Sequence, residues 1–178
     1  IQGDFDVIRS MASLAAQGRR RDWAEAELIS ALRIIGSGEA TRAQLKGSWA
    51  GAMGQTQFTP SSYLATAVDG DGDGKRDIWD SPADALASAA NLLAKAGWQR
   101  GQSWAREVTV PPGFDFAMSE GPKMTPEAWA ALGVLRADGL PWSDADKAAE
   151  AQLLAPAGAT GPVFLLFPNH FVIRKYNN

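Results

Sequence analysis

The chain has 178 residues, of which 46% are hydrophobic and 21% are charged. A chain of this length buries roughly 70% of the surface that its unfolded form exposes, so a hydrophobic core alone can hold it together. The absence of cysteine excludes disulfides, thiolate zinc sites and cysteine nucleophiles, and the single histidine, His170, excludes sites built from several histidines. The net charge of −3 and the pI of about 5.2 disfavour a nucleic-acid partner.

The hydropathy and the start of the chain bear on its compartment. No apolar run approaches the ~18 residues that a membrane span needs, so we expect no transmembrane segment. The chain opens with Ile1 and shows neither an initiator methionine nor a basic leader, which favours a processed or trimmed chain. Composition leaves the compartment open, because a chain without cysteine suits both an exported and a cytosolic protein.

The first hundred residues are predicted to be mostly helical. Apolar residues recur at three- and four-residue intervals over 4–16 and again over 23–35, which predicts two amphipathic helices. A glycine-rich stretch, 45–58, follows them. Thr59 and Ser81 each stand directly before a proline, and both pairs are typical of a helix start.

The second part of the chain has a mixed pattern. An alternating run over 107–110 and an apolar run over 163–167 predict strands. Helices are expected over 126–135, 143–154 and 171–176. We therefore predict an α+β, mostly helical fold in four parts. Residues 1–46 form a helical segment, and residues 47–104 form a core with an acidic loop. Residues 105–168 form a small mixed α/β subdomain, and residues 169–178 return to the core.

An acidic loop, 69–80, carries the sharpest local signal. Carboxylates fall at loop positions one, three, five, nine and twelve, and a glycine occupies position six; the acids are Asp69, Asp71, Asp73, Asp77 and Asp80. This is the spacing of an EF-hand, in which oxygen atoms at positions one, three, five, seven and twelve surround Ca²⁺. The predicted ligands of a structural Ca²⁺ are therefore Asp69, Asp71, Asp73, Asp80 and the backbone carbonyl of Lys75. The alternative is a solvated acidic loop without metal, in which five close carboxylates repel each other.

The glycine-rich stretch LKGSWAGAMGQTQF admits two interpretations. It does not fit a phosphate-binding loop, because it lacks the Gly-Lys-Ser/Thr ending and a preceding strand. It fits a polysaccharide cleft, in which Ser48, Gln55 and Gln57 would offer hydrogen bonds to sugar hydroxyl and acetamido groups. It fits a tightly packed corner between helices equally well, because glycines permit close approach of the backbone in both cases.

Four motifs occur in one order along nearly the whole chain. They are GSWAGAMGQTQFTPSSY (47–63), the acidic loop ending in IWD (78–80), PADALASAANLLAKAGW (82–98), and GPVFL followed by KYN (161–177). Together they resemble the MltB-type lytic murein transglycosylases. The resemblance implies a lysozyme-like core and an exported bacterial enzyme that acts on peptidoglycan glycan strands. Such an enzyme cleaves the MurNAc–GlcNAc β-1,4 bond without water and leaves 1,6-anhydromuramoyl ends.

The resemblance implies a reaction with one catalytic glutamate. That residue protonates the leaving oxygen and then accepts the proton of the muramoyl C6 hydroxyl, whereas ordinary glycosidases use two carboxylates. The family's E-[ST]-x-[FW]-G-type motif has no match here, so the expected glutamate lies upstream of Ile1. Glu25, Glu27 and Glu39 follow the aligned position and are not expected to be the acid. We therefore expect this chain alone to be inactive, as a fragment or with the missing N-terminal piece as a separate chain.

The resemblance also assigns substrate contacts and a location. Ser48 and Gln57 match cleft residues, and Tyr176 and Asn177 match a Tyr-Asn pair that lines the glycan groove. The implied location is the periplasm, with outer-membrane association through an N-terminal segment that is removed or absent here. Two alternative functions stay open, namely a non-catalytic glycan-binding module and a lysozyme-type hydrolase. His170 has no matched role and is expected to pack or to lie on the surface.

Overall fold

The structure is a computed structural model that describes residues 3–18 and 20–177, and of Asn177 it describes the backbone alone. The chain divides between Leu92 and Leu93 into two compact units. The first unit is largely helical and the second is built around an antiparallel sheet. This confirms the predicted α+β fold in which helices predominate. The finer division into four parts stays a prediction.

The first unit begins with a strand, and its described residues contain one small sheet and several helices. β1 pairs antiparallel with β2, and α1 packs against α2. Helix α4 begins in this unit and continues past its end. The elements are β1 (Phe5–Asp6), α1 (Val7–Ala16), α2 (Arg21–Gly36), β2 (Lys46–Gly47), α3 (Pro60–Thr66) and α4 (Pro82–Lys95).

Local sequence explains where two of these helices begin. The Asp6 carboxylate accepts a hydrogen bond from the Arg9 N–H at 3.0 Å and so caps α1. The Thr59 hydroxyl accepts from the Ser62 N–H at 3.4 Å at the start of α3. Pro60 follows at the first helical position, where a missing N–H costs no hydrogen bond. The helices predicted in this half of the chain are thereby confirmed, each to within a few residues.

The core of the first unit holds the glycine-rich stretch in place. Val7, Met11, Ala31 and Ile34 are buried where α1 and α2 face each other. Gly51 has a φ of +81°, and a Cβ at this position would lie 2.9 Å from the Met11 Cε. Glycine therefore lets the stretch pack closely against α1.

The second unit is built on a five-stranded antiparallel sheet with the order β4-β6-β7-β3-β5. Its buried core is apolar, and the indole N–H of Trp129 donates to the Ala151 carbonyl at 2.8 Å. No helix among the described residues of either unit is long and apolar enough to span a bilayer. The elements are β3 (Ala105–Thr109), β4 (Lys123–Met124), α5 (Pro126–Ala131), β5 (Leu135–Arg136), α6 (Asp144–Lys147), β6 (Ala151–Leu154), β7 (Val163–Leu166) and α7 (Pro168–Arg174).

Two predicted helices of the second unit are too long, because strands occupy their ends. The helix predicted over 126–135 ends at Ala131, and the helix predicted over 143–154 ends at Lys147. The prediction is wrong for Ala151–Leu154, which pairs with β7. Burial alternates along this segment with the period of a strand. The strands predicted over 107–110 and 163–167 are confirmed, with their bounds shifted by one or two residues.

Candidate functional site

Ser48 lies in a tight turn of the glycine-rich stretch, directly after β2. Its N–H donates to the Ala52 carbonyl at 2.8 Å, and its hydroxyl oxygen accepts from the N–H groups of Ala50 and Ala52 at 3.2 and 3.1 Å. A Cβ on Gly47 would overlap the Ala52 carbonyl, so this turn requires glycine there. Because the Ser48 oxygen acts as an acceptor toward the backbone, its O–H proton stays available as a donor. The half-buried hydroxyl is thus held in one orientation.

Gln57 lies in the next turn of the same stretch. Met53 and Phe58 exchange backbone hydrogen bonds at 2.8 and 3.1 Å and close a short hairpin around it. Gln57 has a φ of +55°, in the left-handed region that residues other than glycine rarely adopt. Its side-chain amide donates to the Gly54 carbonyl at 2.9 Å. A strained backbone that holds an exposed amide is typical of a functional position.

An open groove of about 540 Å³ runs beside α1 and reaches the turn that carries Ser48. Two aromatic rings at this groove are exposed, Phe5 by 58% and Trp49 by 61%. Polar side chains along α1, Ser10 and Ser13 among them, line it as well. Exposed rings beside hydroxyl groups suit a sugar chain, whose C–H faces stack on aromatic faces. Trp49 was not among the predicted site residues, although a tryptophan between Gly47 and Gly51 was an available signal.

The Glu27 carboxylate is not directed at this groove. Glu27 is 4% exposed, and both of its oxygens accept hydrogen bonds from Ser61, one from the backbone N–H at 2.8 Å and one from the hydroxyl at 2.5 Å. Glu25 is exposed and forms an ion pair with Arg21 at 2.8 Å. Each of these glutamates therefore has a structural partner on the protein.

Glu39 also has structural partners on the protein, Arg76 and Tyr63. The Arg76 guanidinium donates to its two oxygens at 2.5 and 3.1 Å, and the hydroxyl of Tyr63 lies 3.2 Å away as a further donor. The hydrogen bonds from Arg76 are the main reason why the pKa of Glu39 is lowered. Burial and the Glu39 charge raise the pKa of Tyr63, so its phenol stays a donor. Glu39 is therefore held in its ionised form, which is unsuited to a general acid.

The acidic loop brings four carboxylates together. Oxygens of Asp69, Asp71, Asp73 and Asp84 lie within 4.8 Å of one another. The N–H groups of Gly72 and Gly74 donate to Asp69 at 2.6 and 2.8 Å, which lowers the pKa of Asp69. A set of carboxylate oxygens this close together suits a hard cation such as Ca²⁺.

Asp84 is the member of this cluster that was not predicted from the sequence. It lies in the first turn of α4, is fully buried, and accepts from the N–H groups of Gly70 and Asp77, both at 2.7 Å. Asp80, predicted as the ligand at loop position twelve, is exposed and is not part of the cluster. Its N–H donates instead to Asp77. Asp84 follows the twelve-residue loop, so no spacing in the sequence marks it as a member of the cluster, and the ligand set stays a prediction.

The remaining predicted residues lie in the second unit. Tyr176 is half-buried in the final 3₁₀ turn, Lys175–Asn177, and burial raises its pKa. The side chain of Asn177 lies outside the described part of the structure. The contacts predicted for both residues with a glycan strand stay a prediction. His170 is half-buried, stacks with Trp104 and meets the Phe171 ring edge-on.

Comparisons with known proteins bear on this site. The sequence matches the transglycosylase SLT domain over residues 1–178. It is 32% identical over 186 aligned residues to membrane-bound lytic murein transglycosylase B of Escherichia coli strain K12, covering 100% of this chain and 48% of that protein. The chain thus spans about half the length of this relative.

Solved structures of two proteins have the same fold. SltB3 from Pseudomonas aeruginosa, in complexes with NAG-NAM-pentapeptide and NAG-anhNAM-pentapeptide, is 48% identical with a TM-score of 0.91. The match covers 99% of this chain and 48% of the SltB3 chain. Escherichia coli lytic transglycosylase Slt35, in complex with calcium, is 32% identical with a TM-score of 0.80. The match covers 99% of this chain and 55% of the Slt35 chain. The predicted lysozyme-like fold is thereby confirmed.

Proposed function

Because this chain belongs to the transglycosylase SLT domain family, we propose that the protein is a peptidoglycan lytic transglycosylase. It cleaves the MurNAc–GlcNAc β-1,4 bond of glycan strands and closes a 1,6-anhydro ring on the muramoyl residue. The observation that carries this proposal is the 48% identity to SltB3, whose two complexes hold NAG-NAM-pentapeptide and its anhydro counterpart.

The proposed reaction needs one carboxyl group and consumes no water. The carboxylic acid gives its proton to the glycosidic oxygen as the bond to the anomeric carbon breaks. The C6 hydroxyl of the same sugar then attacks the anomeric carbon, and its proton passes to the carboxylate. The acid is regenerated, so one residue performs the two roles that a hydrolase divides between two carboxylates.

We propose that this acid is none of Glu25, Glu27 and Glu39. The ion pair of Glu25, the buried hydrogen bonds of Glu27 and the lowered pKa of Glu39 support the exclusion of each. Full-length protein that carries Glu25→Gln or Glu39→Gln should then still release anhydro product. Loss of release by either variant in its folded form would overturn this part of the proposal.

Ser48, Gln57 and Trp49 are proposed to contact the glycan. The Ser48 hydroxyl, fixed by two backbone donors, offers its proton to a sugar oxygen or to the catalytic carboxylate. Gln57 offers an exposed amide, and Trp49 offers a ring face for stacking. Tyr176 and Asn177, in the second unit, are proposed as further glycan contacts on the strength of the family resemblance.

We further propose that the acidic loop binds one structural Ca²⁺. Asp69, Asp71 and Asp73 with the carbonyl of Lys75 are proposed ligands, and Asp84 takes the place that the sequence assigned to Asp80. The clustered oxygens and the calcium complex of Slt35 support this assignment. When bound, the cation would neutralise the mutual repulsion of these carboxylates.

The periplasm is the proposed location, since peptidoglycan lies there and a relative is named membrane-bound. Peptidoglycan digestion by the full-length protein tests the function. Soluble fragments with anhydro ends are expected. Fragments with hydrated reducing ends would instead indicate a hydrolase, and binding without release would indicate a glycan-binding module.

A further inference from the structure

A second groove, of about 380 Å³, lies within the second unit. One face of α7 lines it through Pro168, Phe171 and Val172, and Lys175 follows directly after the helix at the same three- and four-residue spacing. Two further lining residues come from the sheet side, Lys123 in β4 and Glu150 just before β6. The groove thus combines an apolar helix face with charged groups at its edge.

Two lysines, Lys123 and Lys175, supply the positive charge of this groove. The Lys123 Nζ lies 4.7 Å from the centroid of the Phe171 ring, in a cation–π contact that holds the ammonium above the ring. The Lys175 Nζ donates to the Ala96 carbonyl at 3.1 Å, which leaves two of its three N–H donors for a ligand. Within residues 3–18 and 20–177, neither lysine forms an ion pair with a carboxylate.

This arrangement selects for a carboxylate-bearing ligand. The chain carries a net charge of −3, so two exposed ammonium groups beside an aromatic ring depart from its overall character. A NAG-NAM glycan offers neutral hydroxyl and acetamido groups. The peptide attached to it carries free carboxylates together with small aliphatic side chains. The charges and the apolar floor of the groove are therefore complementary to the peptide and not to the sugars.

We propose that this groove binds the peptide stem of peptidoglycan. A peptide carboxylate lies against Lys123 and Lys175, and aliphatic groups of the peptide pack on Phe171. Glu150, the acid of the groove, weakens the binding of an acidic peptide and so limits its affinity. This inference rests on the proposed function for the identity of the ligand, and on the groove itself for its chemistry.

The test is a titration that needs no catalysis. Full-length protein is titrated with an N-acetylated stem pentapeptide free of sugar, and with the same peptide after its carboxylates are converted to amides. The peptide with free carboxylates is expected to bind at least threefold more tightly than its amide form. Lys123→Gln is expected to weaken binding of the free-carboxylate peptide about threefold to fivefold. Binding should also weaken as salt is raised. Glu150→Gln should tighten it, a change that a folding defect does not produce.

The matched control is Lys147→Gln. Lys147 is an exposed lysine of the same unit, pairs with Asp144 at 3.3 Å and does not line the groove, so its replacement changes the net charge equally and should leave peptide binding unchanged. Equal binding of the acid and amide peptides, or equal effects of Lys123→Gln and Lys147→Gln, would overturn the proposal. Peptide binding as expected from a protein that releases no anhydro product would support the groove and refute the proposed function.

Discussion

Glu27 and Ser61 are joined by two hydrogen bonds, from the Ser61 N–H at 2.8 Å and from its hydroxyl at 2.5 Å. Ser61 lies in the first turn of α3, where backbone N–H groups have no partner within the helix. The buried Glu27 carboxylate supplies that partner across 34 residues of sequence. It thereby fixes the start of the helix that follows Gln57.

Glu27→Gln is predicted to destabilise the fold. The amide replaces a charged acceptor by a neutral group with a single oxygen, so neither bond to Ser61 keeps a charged acceptor. Losing a hydrogen bond to a buried charged group costs about 1.5–3 kcal/mol of unfolding free energy, measurable by denaturant titration. Glu25→Gln, which breaks only an exposed ion pair, is the control and should change little. A Glu27→Gln protein of normal stability that no longer cleaves peptidoglycan would instead mark Glu27 as the acid.

Ca²⁺ is predicted to raise the melting temperature by several degrees at millimolar concentration. A ligand that binds only the folded state stabilises it by mass action. Asp71→Asn combined with Asp73→Asn should abolish the rise, which is measured by thermal melts in Ca²⁺ and in chelator. Identical melts of the unmodified protein in both conditions would show that the loop binds no calcium.

The same melts distinguish Asp84 from Asp80. Asp84→Asn should lower the melting temperature even in chelator, because its oxygens hold the N–H groups of Gly70 and Asp77. The informative quantity is therefore the rise produced by Ca²⁺. We expect this rise to disappear in Asp84→Asn and to persist in Asp80→Asn. The reverse pattern would restore the twelve-residue EF-hand spacing predicted from the sequence.

The stability contributed by Glu39 should depend on pH. Arg76 holds the pKa of Glu39 below its ordinary value of 4.5, so ionised Glu39 stabilises the folded protein. This contribution is fully present above about pH 4.5 and is lost as the pH falls through the folded-state pKa. Glu39→Gln should thus lower the melting temperature at neutral pH, with a difference that shrinks in acid.

Glu107→Gln serves as the control for that comparison, because Glu107 is exposed and forms no ion pair with the residues described. Its melting temperature at neutral pH should match that of the unmodified protein. A Glu39→Gln difference that stays constant from neutral to acidic pH would contradict the assigned pKa direction.

The sequence predicted those features whose causes are local. Thr59 and Pro60 define the start of α3 by themselves, and the structure agrees. Asp84 could not be assigned to the acidic cluster, because its role depends on how α4 folds back on the loop. The helix prediction for Ala151–Leu154 was wrong for a similar reason, because this segment is a strand only through its pairing with β7. The short strands β1 and β2 likewise consist of two residues each and carry no period that a pattern could detect.

Gln57→Ala is predicted to weaken chitooligosaccharide binding by about 1 kcal/mol or more, the scale for leaving a ligand's polar group without its partner. Alanine and glutamine are both strained at the left-handed φ of position 57, so the substitution mainly removes the side-chain amide. Gln99→Ala removes an exposed amide that likewise donates to a backbone carbonyl, that of Gly97 at 3.1 Å, so it is the control and should bind normally. Equal affinities of Gln57→Ala and the unmodified protein, measured by calorimetry, would remove Gln57 from the proposed glycan contacts.

Peptidoglycan digestion in heavy-oxygen water distinguishes the proposed transglycosylase reaction from hydrolysis. In the proposed reaction the C6 hydroxyl of the substrate itself attacks the anomeric carbon, so solvent oxygen should not enter the product. Mass spectrometry of fragments released by the full-length protein should show muramoyl ends lighter by one water than hydrolysed ends and free of heavy oxygen. Fragments that carry one heavy oxygen at a reducing muramoyl end would contradict the proposed reaction and identify the protein as a hydrolase.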